Sequence, residues 1–212
     1  MNVRVLLAFV GLVFSFGSAE IVNFDGVRAG SRPPDWTFVS TRTGGVPHWQ
    51  IELDKTAPSH PQVLAQVAWS GRQDHSLAIF DKGLCANGEV SVDFKMMSGR
   101  SEQSAGLVWR FQDPGNYYFA LAGPAEDRVS IFKRVNNRVS LVAPAVVSHS
   151  IDDRQWSLMK VTFQGPKFTL YFGHRKILEA RDSTLPASGR TGVWARADTV
   201  AYFDNFRLDK RN

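Results

Sequence analysis

The stretch AGLVWRFQDPGNYYFAL, residues 105–121, decides the fold. Leu107, Trp109 and Phe111 fall on one side of an extended chain, and Val108 and Arg110 fall on the other. Alternation of this kind has the period of two that marks a β-strand. Gln112, Asp113, Pro114, Gly115 and Asn116 then break the run. These are turn residues: Pro presets φ, Gly accepts φ > 0, and Asp and Asn hydrogen-bond their own backbone. Tyr117 to Leu121 resumes the strand, so the segment predicts an antiparallel hairpin.

The same pattern extends outward in both directions. Val90, Val92, Phe94 and Met96 alternate with Ser91, Asp93 and Lys95. Met159, Val161 and Phe163 alternate with Lys160 and Thr162, and Phe168, Leu170 and Phe172 with Thr169 and Tyr171. Asn136-Asn137 predicts a tight turn between strands over 128–135 and 138–142. Further strands are expected over 176–180, 190–195 and 200–208, about a dozen in all. Residues 29–75 are less regular, with loops expected at 32–36 and 57–61. No linker, repeat or low-complexity stretch divides the chain, so one all-β domain is expected.

The N-terminus reads differently. Arg4 precedes an apolar run from Val5 to Phe14, and small residues follow at Gly17 and Ala19. This predicts a cleavable leader over 1–19 and a domain over 20–212. The apolar run is shorter than the roughly 20 residues that span a bilayer, and no other segment approaches that length. A membrane span after cleavage is therefore not expected. The chain has one cysteine, Cys85, which cannot form an internal disulfide. With no Asn-x-Ser/Thr sequon either, a secreted or periplasmic bacterial location is expected. The formal charge is +5, but the basic residues are scattered, the densest pairs being Lys133-Arg134 and Lys210-Arg211. A nucleic-acid partner is not expected, because a basic stripe or recognition motif is missing.

Residues 105–118 resemble the central hairpin of concanavalin A-like, laminin G-like sandwiches. Trp156 to Gly165 and Phe168 to His174 resemble the "W-x-x-x-K-V-x-x-x-G … y-x-n-G" strand pair of that superfamily. Residues 189–194 and 200–206 resemble its closing strands. Over about residues 22–208, the chain is most similar to bacterial exported 3-keto-disaccharide hydrolase-like, or family-16-glycosidase-like, domains. The resemblance implies a concanavalin A-like jelly-roll sandwich of two antiparallel sheets. It also implies a carbohydrate partner, since this fold serves lectins and glycanases as well as interaction domains.

An enzyme of this fold would need its chemistry in view. A retaining glycosidase uses two carboxylates about 5–5.5 Å apart. In the family-16 pattern they lie on one strand as Glu-x-Asp-x-Glu. Here Glu89, Ser91, Asp93 and Lys95 share a face, which departs from that pattern. No catalytic motif of the 3-keto-disaccharide hydrolase-like group maps onto these residues. The five histidines, at 48, 60, 75, 149 and 174, show no metal-binding spacing. No serine sits in a Gly-x-Ser-x-Gly elbow. Cys85 reads as a small buried residue.

Binding is the leading expectation, with a glycoside-processing enzyme and a protein-interaction module as alternatives. Six Trp and four Tyr supply rings that stack on sugars. Arg110, Tyr118, Lys133, Lys160, Tyr171 and Arg196 are polar or amphipathic residues in mid-strand. Each is expected to point out of the core, and together they form the expected glycan surface, led by Arg110. Trp109 and Trp156 are expected in the core. Asp25 and Asp204, on the opening and closing segments, are the expected ligands of a structural calcium.

Overall fold

The computed structural model describes residues 19–41, 45–67, 74–99, 103–123, 128–143, 146–147, 151, 154–196 and 199–211. The expected leader, apart from Ala19, lies outside them. Sixteen strands make up the described secondary structure. They are β1 (Glu20–Val22), β2 (Trp36–Ser40), β3 (Trp49–Leu53), β4 (Gln62–Gln66), β5 (His75–Cys85), β6 (Asn87–Gly99), β7 (Ala105–Asp113) and β8 (Asn116–Gly123). The second half holds β9 (Arg128–Val135), β10 (Arg138–Leu141), β11 (Val146–Val147), β12 (Ser157–Gln164), β13 (Lys167–Phe172), β14 (Arg175–Arg181), β15 (Gly189–Arg196) and β16 (Thr199–Arg211).

The strands form two antiparallel sheets. Sheet A runs β14-β13-β12-β6-β16-β4-β3, with β1 also paired to β16. Sheet B runs β10-β9-β8-β7-β15-β5-β2, with β11 paired to β9. Both expected hairpins form, as β7–β8 and β9–β10. Asn136 and Asn137 have φ of 49° and 66°, the left-handed pair that a two-residue hairpin turn demands. The irregular N-terminal third contributes β2, β3 and β4, which the alternation did not reveal.

The main core lies between the sheets. It joins Val90, Val92, Phe94, Val161 and Phe168 of sheet A to Leu107, Trp109, Tyr118, Ile131 and Val193 of sheet B. A second apolar cluster occupies the opposite face of sheet B, with Leu77, Ile79, Val108, Phe111, Tyr117, Phe119 and Trp194. Phe119 stacks between Phe132 and Trp194, with ring centroids 5.3 Å and 5.0 Å away. Sheet B is thus apolar on both faces, whereas the outer face of sheet A is polar.

Candidate functional site

The six expected ligand residues do not share one surface; the structure divides them among three places. Arg110 is the clearest departure. The alternation of β7 breaks at this residue, whose φ is 48°, and the register shifts between Trp109 and Asp113. Trp109 stays in the inter-sheet core, but Phe111 crosses to the outer cluster of sheet B. Arg110 itself is only 1% exposed. Its Nε and Nη2 donate to the Ala86 carbonyl at 3.1 and 2.9 Å, Nη2 to Gly165 O at 2.6 Å, and Nη1 to Leu185 O at 3.2 Å. Every guanidinium nitrogen is therefore spent on the protein's own loops, across the end of the sandwich. Burial lowers its pKa, and no carboxylate is among its bonded partners.

Tyr118 and Lys133 are register partners on β8 and β9, and both turn inward. Tyr118 is buried against Trp109, its ring stacked at 5.7 Å. Its hydroxyl donates to Asp182 Oδ1 at 2.6 Å and accepts from Leu185 N at 3.0 Å. Lys133 Nζ reaches Asp182 Oδ2 at 2.6 Å and Thr184 Oγ1 at 2.7 Å. Burial raises the Asp182 pKa, but the Lys133, Thr184 and Tyr118 hydrogen bonds outweigh it and hold the carboxyl well below the usual range. Burial and the Asp182 bond push Tyr118 up to about 12. Arg110, Tyr118 and Lys133 thus do not point outward as expected; they converge on the loop 182–185 and lock it to sheet B.

Lys160 and Tyr171 do form a surface, on the outer face of sheet A. They are register partners, and Lys160 Nζ sits 4.5 Å from the Tyr171 ring centroid. The same register continues across the sheet: Lys160 faces Ser91, and Ser91 faces Arg207. Tyr171, Lys160, Ser91 and Arg207 therefore lie in one row across β13, β12, β6 and β16. With about 4.8 Å between strands, the row is about 14 Å long. Thr169, Thr162, Glu89 and Asp209 form a parallel polar row beside it. Lys160 is 32% exposed and ion-paired to Glu89 Oε1 at 3.5 Å, Tyr171 is half-buried and Arg207 is exposed, while Ser91 between them is buried.

Trp156 joins this face instead of the core. It is half-buried, its Nε1 donates to Thr56 Oγ1 at 3.1 Å, and Lys95 Nζ lies 5.1 Å from its ring centroid. The signal was present in the sequence: on β12, positions 158, 160 and 162 face outward, and 156 shares their parity. Lys95 is nearly buried beneath the β3–β4 loop, ion-paired to Asp54 and bonded to Thr56 Oγ1 at 2.8 Å.

Arg196 lies apart, on the outer face of sheet B in register with His75. His75 Nδ1 meets the Tyr117 hydroxyl at 2.6 Å. Burial, with the charges of Arg134 and Arg196, lowers the His75 pKa to about 3.

β1 pairs with β16, and Asp25 and Asp204 are bridged through one residue. Their shared partner is Ser59. Its Oγ donates to Asp204 at 2.9 Å and lies 3.4 Å from Asp25 Oδ1, while Ser59 N donates to Asp204 Oδ2 at 2.9 Å. Asn205 N supplies a further donor to Asp204 Oδ1 at 2.7 Å. These donors take up lone pairs that a calcium ion, needing 6–8 oxygens, would require. Among the described residues there is no group of three or more His, Cys, Asp or Glu able to hold a metal. Asp93 is the register partner of Asp204, and burial raises both carboxyls. Asp204 is fully buried under Ser59, so a substrate could reach only Asp93 of this pair.

Comparisons with known proteins place the fold. No family model matches the sequence. A levanase of Bacillus subtilis strain 168 is 27% identical over 138 residues, which is 64% of this chain and 20% of the levanase. The chain thus matches about a fifth of that protein's length. The carbohydrate binding module CBM66 from Bacillus subtilis superposes with a TM-score of 0.67 at 20% identity, covering 86% of this chain and 100% of the module. The exoplasmic/lumenal domain of VIP36, in its Ca2+- and mannose-bound form, gives 0.58 at 13% identity, covering 91% of this chain and 89% of that one. The fold is a concanavalin A-like, galectin-like β-sandwich.

Proposed function

We propose that the protein is an exported carbohydrate-binding sandwich that holds a polysaccharide chain across the outer face of sheet A. The carrying observation is the row Tyr171–Lys160–Ser91–Arg207, in which an aromatic ring, a lysine and an exposed arginine are set side by side across paired strands, with buried Ser91 between the two cations. Trp156 adds a second half-open ring on the same face. Rings stack on the apolar faces of sugars, and lysine and arginine bond their hydroxyls. The likeness to CBM66 and VIP36 and the match to a levanase support the ligand class. The leader expected over 1–19 supports the export part of this reading.

The test is retention of the purified protein on a polysaccharide panel that includes levan and mannose-bearing glycans. One member of the panel is expected to retain it, with at least tenfold weaker retention for Tyr171→Ala and Arg207→Ala. Retention is expected to survive a calcium chelator, given the occupied lone pairs of Asp204. A protein that no polysaccharide retains, or variants that bind as well as the parent, would sink the proposal.

A further inference from the structure

A cleft of about 360 Å³ opens between β1 of sheet A and the β2 edge of sheet B. That volume lies within the range of small-ligand pockets. Its floor is aromatic. Trp36 packs against Phe24 at 5.7 Å and against Phe80 at 5.4 Å; all three residues line the cavity, with most of each ring buried in the inter-sheet core and Trp36 the most exposed of them at 7%. Its rim is charged, with Glu20, Asp35 and Lys82.

The rim is braced from outside. Lys82 Nζ holds Asp35 Oδ2 at 2.7 Å, and Lys210 Nζ holds Glu20 Oε1 at 2.9 Å while donating to the Lys82 carbonyl at 2.6 Å. Each lysine thus fixes one oxygen of a rim carboxylate.

The backbone of the walls is also unusual. Phe24 and Asp35 have φ of 65° and 62°, in the left-handed region. A bulky residue such as phenylalanine is held there against a steric penalty, and such strain clusters at functional sites. Both residues line the same cavity.

An aromatic floor with acceptors and a donor at the rim matches one chemistry well: a small ring with an apolar face and equatorial hydroxyls. We infer that the Trp36 cleft is a second saccharide site, which takes a single sugar ring at a chain end. This rests on the carbohydrate reading and adds to the sheet A row a site of different shape.

Calorimetric titration of the purified protein with a panel of monosaccharides and disaccharides tests the assignment. One sugar is expected to bind saturably. The double variant Glu20→Gln/Asp35→Asn, which keeps the shape of the rim, is expected to weaken that binding at least tenfold with an unchanged melting temperature. Tyr171→Ala is expected to leave it unaltered. Free sugars that do not bind, while a polysaccharide is retained through Tyr171, would overturn the cleft and spare the carbohydrate reading. Binding that the double variant leaves intact would also overturn it. Failure of both ligand panels would overturn both proposals.

Discussion

Arg110 and Gly165 are 55 residues apart in sequence, and Nη2 of one lies 2.6 Å from the carbonyl oxygen of the other. With the Ala86 and Leu185 carbonyls, this contact closes the end of the sandwich. Replacement of Arg110 by methionine keeps the apolar stem but leaves three inward-facing carbonyls without their donor. A loss of roughly 3 kcal/mol is expected in urea unfolding, because buried polar groups left unpaired cost about 1–3 kcal/mol each and relaxation recovers part of it. Lysine should rescue little, since one ammonium cannot reach three carbonyls in a fixed plane. A near-neutral Arg110→Met variant would contradict this role.

The Asp182 carboxyl is held low by Lys133, Thr184 and Tyr118 against the opposing effect of burial. A depressed folded pKa adds stability that is present above the unfolded value of about 4 and is lost as pH falls below it. Lys133→Met should therefore cost about 1–2 kcal/mol at pH 7, and the deficit should fade as pH drops below about 4. Paired denaturation curves at pH 7 and pH 3 measure this. A deficit that does not change with pH would show that Lys133 acts through packing alone.

Asp204 carries the opposite sign. Burial raises its pKa despite the donors from Ser59 and Asn205, and the Asp25 charge adds to the effect. Stability from this group is full below the unfolded value of about 4 and is lost as pH rises through the raised one. Asp204→Asn cannot titrate, so its stability relative to the parent should increase between pH 3.5 and pH 7. Any fixed offset from the amide cancels in that comparison. A relative stability that is flat with pH would refute the assignment.

The alternating strands were legible because one face of sheet A meets water. Val90, Val92, Phe94 and Met96 were placed correctly for that reason, and Lys160 with Tyr171 likewise. In sheet B the second apolar cluster removes the polar half of the pattern. The run Tyr117-Tyr118-Phe119-Ala120-Leu121 does not say which tyrosine faces the core: Tyr118, expected outward, lies between the sheets, and Tyr117 lies in the outer cluster. Arg110 failed for another reason: a single left-handed residue in mid-strand inverts the parity of everything after it, and arginine carries no local mark of that conformation. The partners of Asp182 are equally invisible beforehand, since they come from 64 and 49 residues away.

Three residues of β1 pair antiparallel with β16, Glu20 opposite Leu208 and Val22 opposite Phe206. A tensile load on the two ends of the domain would draw these strands apart from the same corner, breaking their hydrogen bonds one after another and not all together. Short terminal strands are also the first to open in thermal fluctuation. β1 is one wall of the Trp36 cleft. A molecule tethered at both ends would therefore part at that corner first, releasing whatever the cleft holds while the sheet A row and the inter-sheet core remain intact.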